Sequence, residues 1–257
     1  MMRSVGLKTI LANFWNHRSG VCNVCGRRTI FACTDLETAR GNMFCIFCRS
    51  SSRKRHVASH IVSDVIKDVK CIAQISDLKK DIAIYNLDAH DSFYKVLSHH
   101  SGFYCSIFDP DVELGHVISE RIYCQNVEEL TFDDEMFDIA ISEDIFEHVR
   151  DFMKGFRSIY RVLKPGGYHI FTVPCNFDSS TVTRVDTSTD EDIHLMAPEY
   201  HDDGIRGKIL AYRTFGNDIF KILRSIGFET TVHFSKYVDQ RNGIFDSYVF
   251  VSKKLME

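Results

Sequence analysis

Between Phe137 and Pro174 the spacing of apolar positions changes twice. Phe137 to Ile141 is a short apolar run, the length of a buried strand. From Asp144 the residues Ile145, Phe146, Val149, Phe152, Met153, Phe156, Ile159, Tyr160 and Leu163 recur at helical spacing. Arg150, Asp151, Lys154, Arg157 and Arg161 hold the opposite face. Asp144 is placed to cap this helix, and Lys164-Pro165-Gly166-Gly167 to stop it. Tyr168 to Val173, β-branched and aromatic, predicts a second strand. A strand–helix–strand unit of this length predicts a right-handed parallel crossover and hence an α/β sheet.

The same reading gives strands over Ile82 to Leu87, Tyr104 to Phe108 and Ile122 to Gln125, with a short helix from Phe93 through Val96 and Leu97. Phe215, Ile219, Ile222, Leu223 and Ile226 predict a further helix, ended by Gly227. Phe228 to Phe234 and Ser247 to Val251 read as strands joined by a loop containing Asn242-Gly243. Leu7, Ile10, Leu11, Phe14 and Trp15 make residues 3–18 a basic amphipathic helix, which docks on the body or meets a membrane surface; docking is favoured. Residues 175–212 are long and polar, and so long a connection in a compact domain is usually functional or disordered.

The 257 residues suffice for one good core and a small appendage. At 44% apolar and 26% charged, the composition is that of a soluble globular protein. The net charge of −4 is unevenly spread. Residues 1–66 carry ten Lys/Arg against three Asp/Glu, and the remainder 21 against 32. A basic head on an acidic body implies two modules. No apolar run reaches the roughly twenty residues needed to span a bilayer. No secretory signal is evident, and the cysteine pattern suits reduced thiols, so a cytoplasmic location is expected.

Four of the nine cysteines form two knuckles, Cys22-Asn-Val-Cys25 and Cys45-Ile-Phe-Cys48, separated by nineteen residues. That spacing predicts a four-thiolate structural zinc site, with Gly26 supplying a tight turn. Cys33, Cys71, Cys105, Cys124 and Cys175 read as packing residues. The basic run Arg49 to His56 follows the second knuckle. It is either a phosphate or nucleic-acid contact or a solvated helix start lying against the acidic body, and the two readings weigh about equally. Residues 1–19, 20–52 and 53–257 are thus expected to form an N-terminal helix, a zinc-ribbon-like module and the main domain.

The segment FDIAISEDIFEHVRDFMKGFRSIYRVLKPGGYHIFTVP, with VEELTFDDEMFD before it, resembles the second half of the class I S-adenosylmethionine-dependent methyltransferases, type 11-like. Its matching positions include Phe137, Asp138, Glu147, His148, Val149, Arg161 to Gly167 and Pro174. A knuckle followed by an Arg/His-rich helix start is similar to zinc-ribbon-bearing members. The resemblance implies a Rossmann-like sheet of seven strands, mostly parallel with a reversed edge strand, and S-adenosylmethionine as cofactor. It places cofactor contacts at Asn86 and Asp88 after the first strand, Asp109 at the ribose, Asn126 and Val127 at the adenine, and Ser142 and Glu143 at the lip of the fourth strand. The usual glycine-rich turn after the first strand is replaced by Asn86-Leu87-Asp88-Ala89-His90-Asp91, so the backbone approaches a ligand less easily and the pocket is divergent. Asp109 also reads as an Asp-Pro turn, with Asp111 in reserve, and Asn126 as a turn residue. His148 reads as structural.

Glu199-Tyr200-His201-Asp202-Asp203 is the expected substrate lid, with His201 and Glu143 as candidate general bases. The expected function is methyl transfer to a small-molecule or glycan acceptor. The alternatives are a zinc-ribbon RNA-binding protein, an RNA methyltransferase, and a scaffold that has lost the cofactor. Nucleic acid is disfavoured because the basic run has no interleaved aromatic residues.

Overall fold

The computed structural model describes residues 14–78, 81–202, 207–235 and 239–256. Strands β1 (Arg18–Val21), β2 (Arg28–Cys33) and β3 (Met43–Cys45) make a small antiparallel sheet, with the four-residue helix α1 (Ala39–Asn42) between the last two. Helix α2 (Ser52–His60) follows, capped by Ser51, whose hydroxyl accepts from the Lys54 amide. The expected helix over 3–18 lies largely outside the described residues. Its end differs from expectation: Phe14–Asn16 is a single 3-10 turn and Arg18 already begins β1.

The main sheet is built from β4 (Ile84–Asn86), β5 (Phe103–Ile107), β6 (Val117–Ser119), β7 (Ile122–Cys124), β8 (Phe137–Glu143) and β9 (Leu163–Thr172). After β9 come the short strands β10 (Cys175–Asn176), β11 (Val182–Thr183), β12 (Val185–Asp186), β13 (Ile193–His194), β14 (Glu199–Asp202), β15 (Lys208–Ala211) and β16 (Arg213–Gly216). Strands β17 (Phe228–Phe234) and β18 (Tyr248–Lys254) complete the main sheet, whose order is β17-β18-β9-β8-β4-β5-β7-β6.

That is eight strands rather than the expected seven. The additional one, β6, pairs antiparallel with β7 through a turn in which Arg121 has φ 62. All three of its residues are exposed, so no buried face marks it in the sequence. Besides β6, a reversed strand at one edge, the C-terminal hairpin brings a second reversed strand, and this one is not at the edge where it was expected. β18 runs antiparallel between β9 and β17, and β17 lies outside it.

Alternation along the strands sends side chains to two apolar layers. Ile84, Ile139, Ile141, Ile170, Val249 and Val251 join a core that also contains Cys22, Val24, Phe31, Val57, Ala58 and Phe93. The small sheet and α2 therefore share one core with the main sheet. Tyr85, Phe137, Ala140, Phe171 and Phe250 face the other way, against helices α4 (Phe152–Val162) and α5 (Ile219–Ile226). Helix α3 (Ser92–Leu97) connects β4 to β5.

The long helix expected from Asp144 begins later. Asp144 takes φ 50, the chain makes a 3-10 turn at Phe146–His148, and α4 starts at Phe152 with Asp151 as its cap. The cause is Arg213 on β16. Its guanidinium donates to the carbonyls of Phe146, Val149 and Arg150, which holds this stretch out of the helical ladder.

The basic run lies against the acidic body, as one of the two readings expected, but Lys54, Arg55 and His56 are buried rather than solvated. Arg55 is fully buried over the Phe31 ring. It donates to the carbonyls of Met43, Ser50, Asn242 and Gly243. No helix among the described residues is long and apolar enough to cross a membrane.

Candidate functional site

Ligands of open α/β sheets sit beyond the carboxyl ends of the strands. Here β4 ends at Asn86 and β8 at Glu143, and a buried polar network joins them. Asn86 Nδ2 donates to Asp91 Oδ2 at 3.0 Å and to the Asp88 carbonyl at 2.6 Å. Asp91 also caps α3 by accepting from the Tyr94 amide. Lys54 reaches in from α2. Its Nζ lies 2.5 Å from Asp91 Oδ2, contacts Glu143 Oε2 and sits over the Phe93 ring.

Burial opposes the charge on Lys54, but Asp91, Glu143 and Asp88 more than compensate and raise its pKa. Asp88 is pushed up by burial and by Asp91. Glu143 Oε1 is buried without a hydrogen-bond partner. Next to it, Asp144 accepts from Arg40, Arg53 and the Thr172 hydroxyl. Burial alone would raise this carboxyl, yet Arg53 and Arg40 hold it well below the usual range.

The expected cofactor residues are only partly gathered here. Asp109 follows β5 at the same edge, and its carboxylate accepts from the Asp111 amide, closing an Asp-Pro turn. Asn126 Oδ1 accepts from the Glu128 amide, the turn role weighed for it. The Val127 side chain is buried in the layer against α4. Ser142 departs from expectation. Its hydroxyl is hydrogen-bonded to His169 Nε2 at 2.9 Å, both residues being buried, so the side chain points into the sheet rather than to the cleft. Glu143 is committed to Lys54, which leaves it poorly placed as a free base. Residues 175–212 carry the paired strands β10–β16. Of the lid residues, Asp203 and the Asp202 side chain lie outside the described residues.

A second cluster stands one turn after β8. His201, on β14, places Nδ1 3.2 Å from His148 Nε2 and Nε2 3.1 Å from Glu199 Oε1. His148 Nδ1 lies 2.8 Å from the Leu210 carbonyl; a carbonyl only accepts, so this nitrogen carries a proton. Glu147 Oε1 lies 3.7 Å from His148 Nε2 and 3.8 Å from His201 Nδ1. Glu147 is 0% exposed, and neither carboxylate oxygen has a hydrogen-bond partner among the described residues. Burial, then Asp144, pushes its pKa up to about 8.

The four knuckle cysteines converge on one point. Their sulfurs lie within 4.8 Å of one another, with Cys22–Cys48 at 3.6 Å and Cys25–Cys45 at 3.8 Å. A tetrahedral zinc with Zn–S of about 2.3 Å requires sulfurs about 3.8 Å apart. Sulfur–sulfur contacts push Cys22 and Cys45 below the ordinary thiol range and Cys25 and Cys48 above it. Gly26 takes φ +75, the turn expected of it.

A hollow of about 540 Å³ lies elsewhere, lined by Phe220, Arg224, Phe228 and Leu255. It opens beside the start of β17, at the amino edge of the sheet.

Residues 83–171 match the methyltransferase domain family. The matched stretch runs from just before β4 to the end of β9, and holds the Asn86–Lys54–Glu143 edge except for Lys54 itself. No curated protein matches the chain. Solved structures similar to it include an S-adenosylmethionine-dependent methyltransferase from Methanosarcina mazei, at 18% identity and TM-score 0.42, covering 70% of this chain and 95% of that one. One from Mesorhizobium loti shows 15% identity and TM-score 0.43, with 71% and 97% covered. A putative one from Listeria monocytogenes shows 11% identity and TM-score 0.45, with 78% and 100% covered.

Sequence reasoning missed Lys54, Asp91, Arg40 and Arg53. The available signal was the density of the basic run directly after a knuckle. A turn pinned by four converging cysteines fixes where the next helix starts, and so which side of it meets the acidic edge.

Proposed function

We propose that this protein is an S-adenosylmethionine-dependent methyltransferase acting on a small-molecule or glycan acceptor, with a structural zinc held by Cys22, Cys25, Cys45 and Cys48. The reading rests on the methyltransferase-domain match over residues 83–171, laid on a mostly parallel sheet whose carboxyl edge is lined with acids. Those residues suit a cationic ligand: Asp88, Asp91 and Glu143 crowd together, and Glu143 Oε1 has no hydrogen-bond partner.

Asn86, Asp88 and Glu143 would hold the amino-acid end of the donor, Asp109 the ribose, and Asn126 with the Val127 backbone the adenine. Ser142 would contribute only backbone. When bound, the donor supplies an electrophilic methyl group on a sulfonium. The protein's task is alignment and exclusion of water. His201 is the better-placed proton acceptor of the two expected bases, since Lys54 occupies Glu143.

One observation favours a second reading, a scaffold without donor. Lys54 already supplies a cation to the acids that would otherwise meet the ligand. The RNA readings lose support because Lys54, Arg55 and His56 are buried.

Calorimetry with S-adenosylmethionine and S-adenosylhomocysteine, before and after nuclease treatment, separates these readings. Saturable heat with either ligand, reduced by Asp109→Ala with Asn126→Ala, is expected. No heat from either refutes the enzyme and leaves the scaffold.

A further inference from the structure

Glu147, His148 and His201 belong to none of the roles above except for His201 as a base, and their geometry is that of a ligand set. Two ring nitrogens, His148 Nε2 and His201 Nδ1, face each other at 3.2 Å, and Glu147 Oε1 is 3.7 and 3.8 Å from them. A point equidistant from three atoms so spaced lies about 2.1 Å from each, within the range of metal–imidazole and metal–carboxylate bonds. The outer nitrogens are held in the way metal-binding histidines usually require. His148 Nδ1 meets the Leu210 carbonyl and His201 Nε2 meets Glu199 Oε1, so with the protons on these outer nitrogens a bound ion would meet an inner lone pair on each ring. Glu199 is in turn paired with Arg184.

The second observation is the buried carboxylate. Among the described residues Glu147 has no hydrogen-bond partner on either oxygen, and it has no exposure to water. Ionised in that position, the carboxylate calls for a counter-ion. Arg213 passes close by but spends its guanidinium on carbonyls, and Arg40 and Arg53 spend theirs on Asp144.

We propose that Glu147, His148 and His201 bind one divalent first-row transition ion at the carboxyl edge of the sheet. Two imidazoles and one carboxylate suit manganese, cobalt or zinc better than calcium or magnesium. Three protein ligands leave coordination positions open, as in catalytic rather than structural sites. If the methyltransferase reading holds, those positions would take an oxygen of the acceptor and lower its pKa, and His201 would then orient the ion rather than accept the proton itself. The ion site does not depend on that reading.

The test is manganese titration of the full chain with its thiolate site already loaded with zinc, following free Mn²⁺ by electron paramagnetic resonance. Manganese prefers oxygen and nitrogen ligands and does not compete for four thiolates. Cobalt, followed by its visible absorption, is the second probe. One ion per chain is expected. Glu147→Gln and His201→Ala should each weaken binding tenfold or more, with melting curves showing that the variants are folded. His201 sits on a partly exposed strand, so its variant keeps the core intact. No binding of either ion at millimolar concentration, or affinity unchanged in both variants, overturns the proposal. Absence of donor binding in calorimetry would leave this result readable.

Discussion

Replacing Lys54 by methionine would test whether the N-terminal module is wired into the carboxyl edge of the sheet. The Lys54 ammonium is the only cation within ion-pair distance of Asp91 and Glu143 among the described residues, and all three side chains are at most 10% exposed. Methionine keeps most of the stem and removes the charge. Asp91 and Glu143 are then left facing each other in a poorly solvated site, next to an Asp88 already pushed up by its surroundings. Stripping one partner from a buried ion pair typically costs about 3–5 kcal/mol. For a chain of this size that corresponds to a fall in Tm of about 6–20 °C, at roughly 2–4 °C per kcal/mol. The assay is urea or thermal unfolding at neutral pH of the wild type, Lys54→Met, Glu143→Gln and the double variant. Glu143→Gln should recover a substantial part of the loss, because the repelling charge is gone. A loss below about 1 kcal/mol, the range of an exposed pair, refutes the reasoning. So would simple additivity of the two substitutions.

Two further outcomes follow from the same kind of accounting. Zinc removal by chelator, or Cys45→Ser, should lower the melting temperature and release one metal per chain, measured by elemental analysis; a metal-free protein with an unchanged melt contradicts the four-thiolate site. Burial pushes His169 down to about 3. Below about pH 6.5 the unfolded chain takes up a proton that the folded one refuses, so stability is full above that pH and falls by about 1.4 kcal/mol per unit as pH drops toward 3. His169→Gln should flatten the stability–pH slope by one proton in that window; an unchanged slope shows that the histidine titrates alike in both states.

Much of the sheet was legible because buried parallel strands announce themselves as short apolar runs. β8 and β9 fall where Phe137 to Ile141 and Tyr168 to Val173 placed them, though each is longer. β6 was not legible, since three exposed residues on a turn carry no buried face. The helix start was misplaced because periodicity measures which residues face the core, not which bond ladder they form. Ile145, Phe146 and Val149 do point inward, but Arg213, more than sixty positions later, takes their neighbours' carbonyls. The knuckles were legible from spacing alone. The inward turn of Lys54 and Arg55 was not, because charge in a sequence carries no direction.

Arg55 has a bearing on the order in which the molecule can be finished. Its guanidinium needs acceptors from Met43 and Ser50, made shortly before it, and from Asn242 and Gly243, made some 190 residues later. During synthesis the cysteine knuckles can close early, yet the arginine beside them remains half satisfied until the β17–β18 hairpin leaves the ribosome. The segment carrying Arg55 therefore locks in place late, and a nascent chain stalled before Asn242 would hold that guanidinium with the Asn242 and Gly243 acceptors missing.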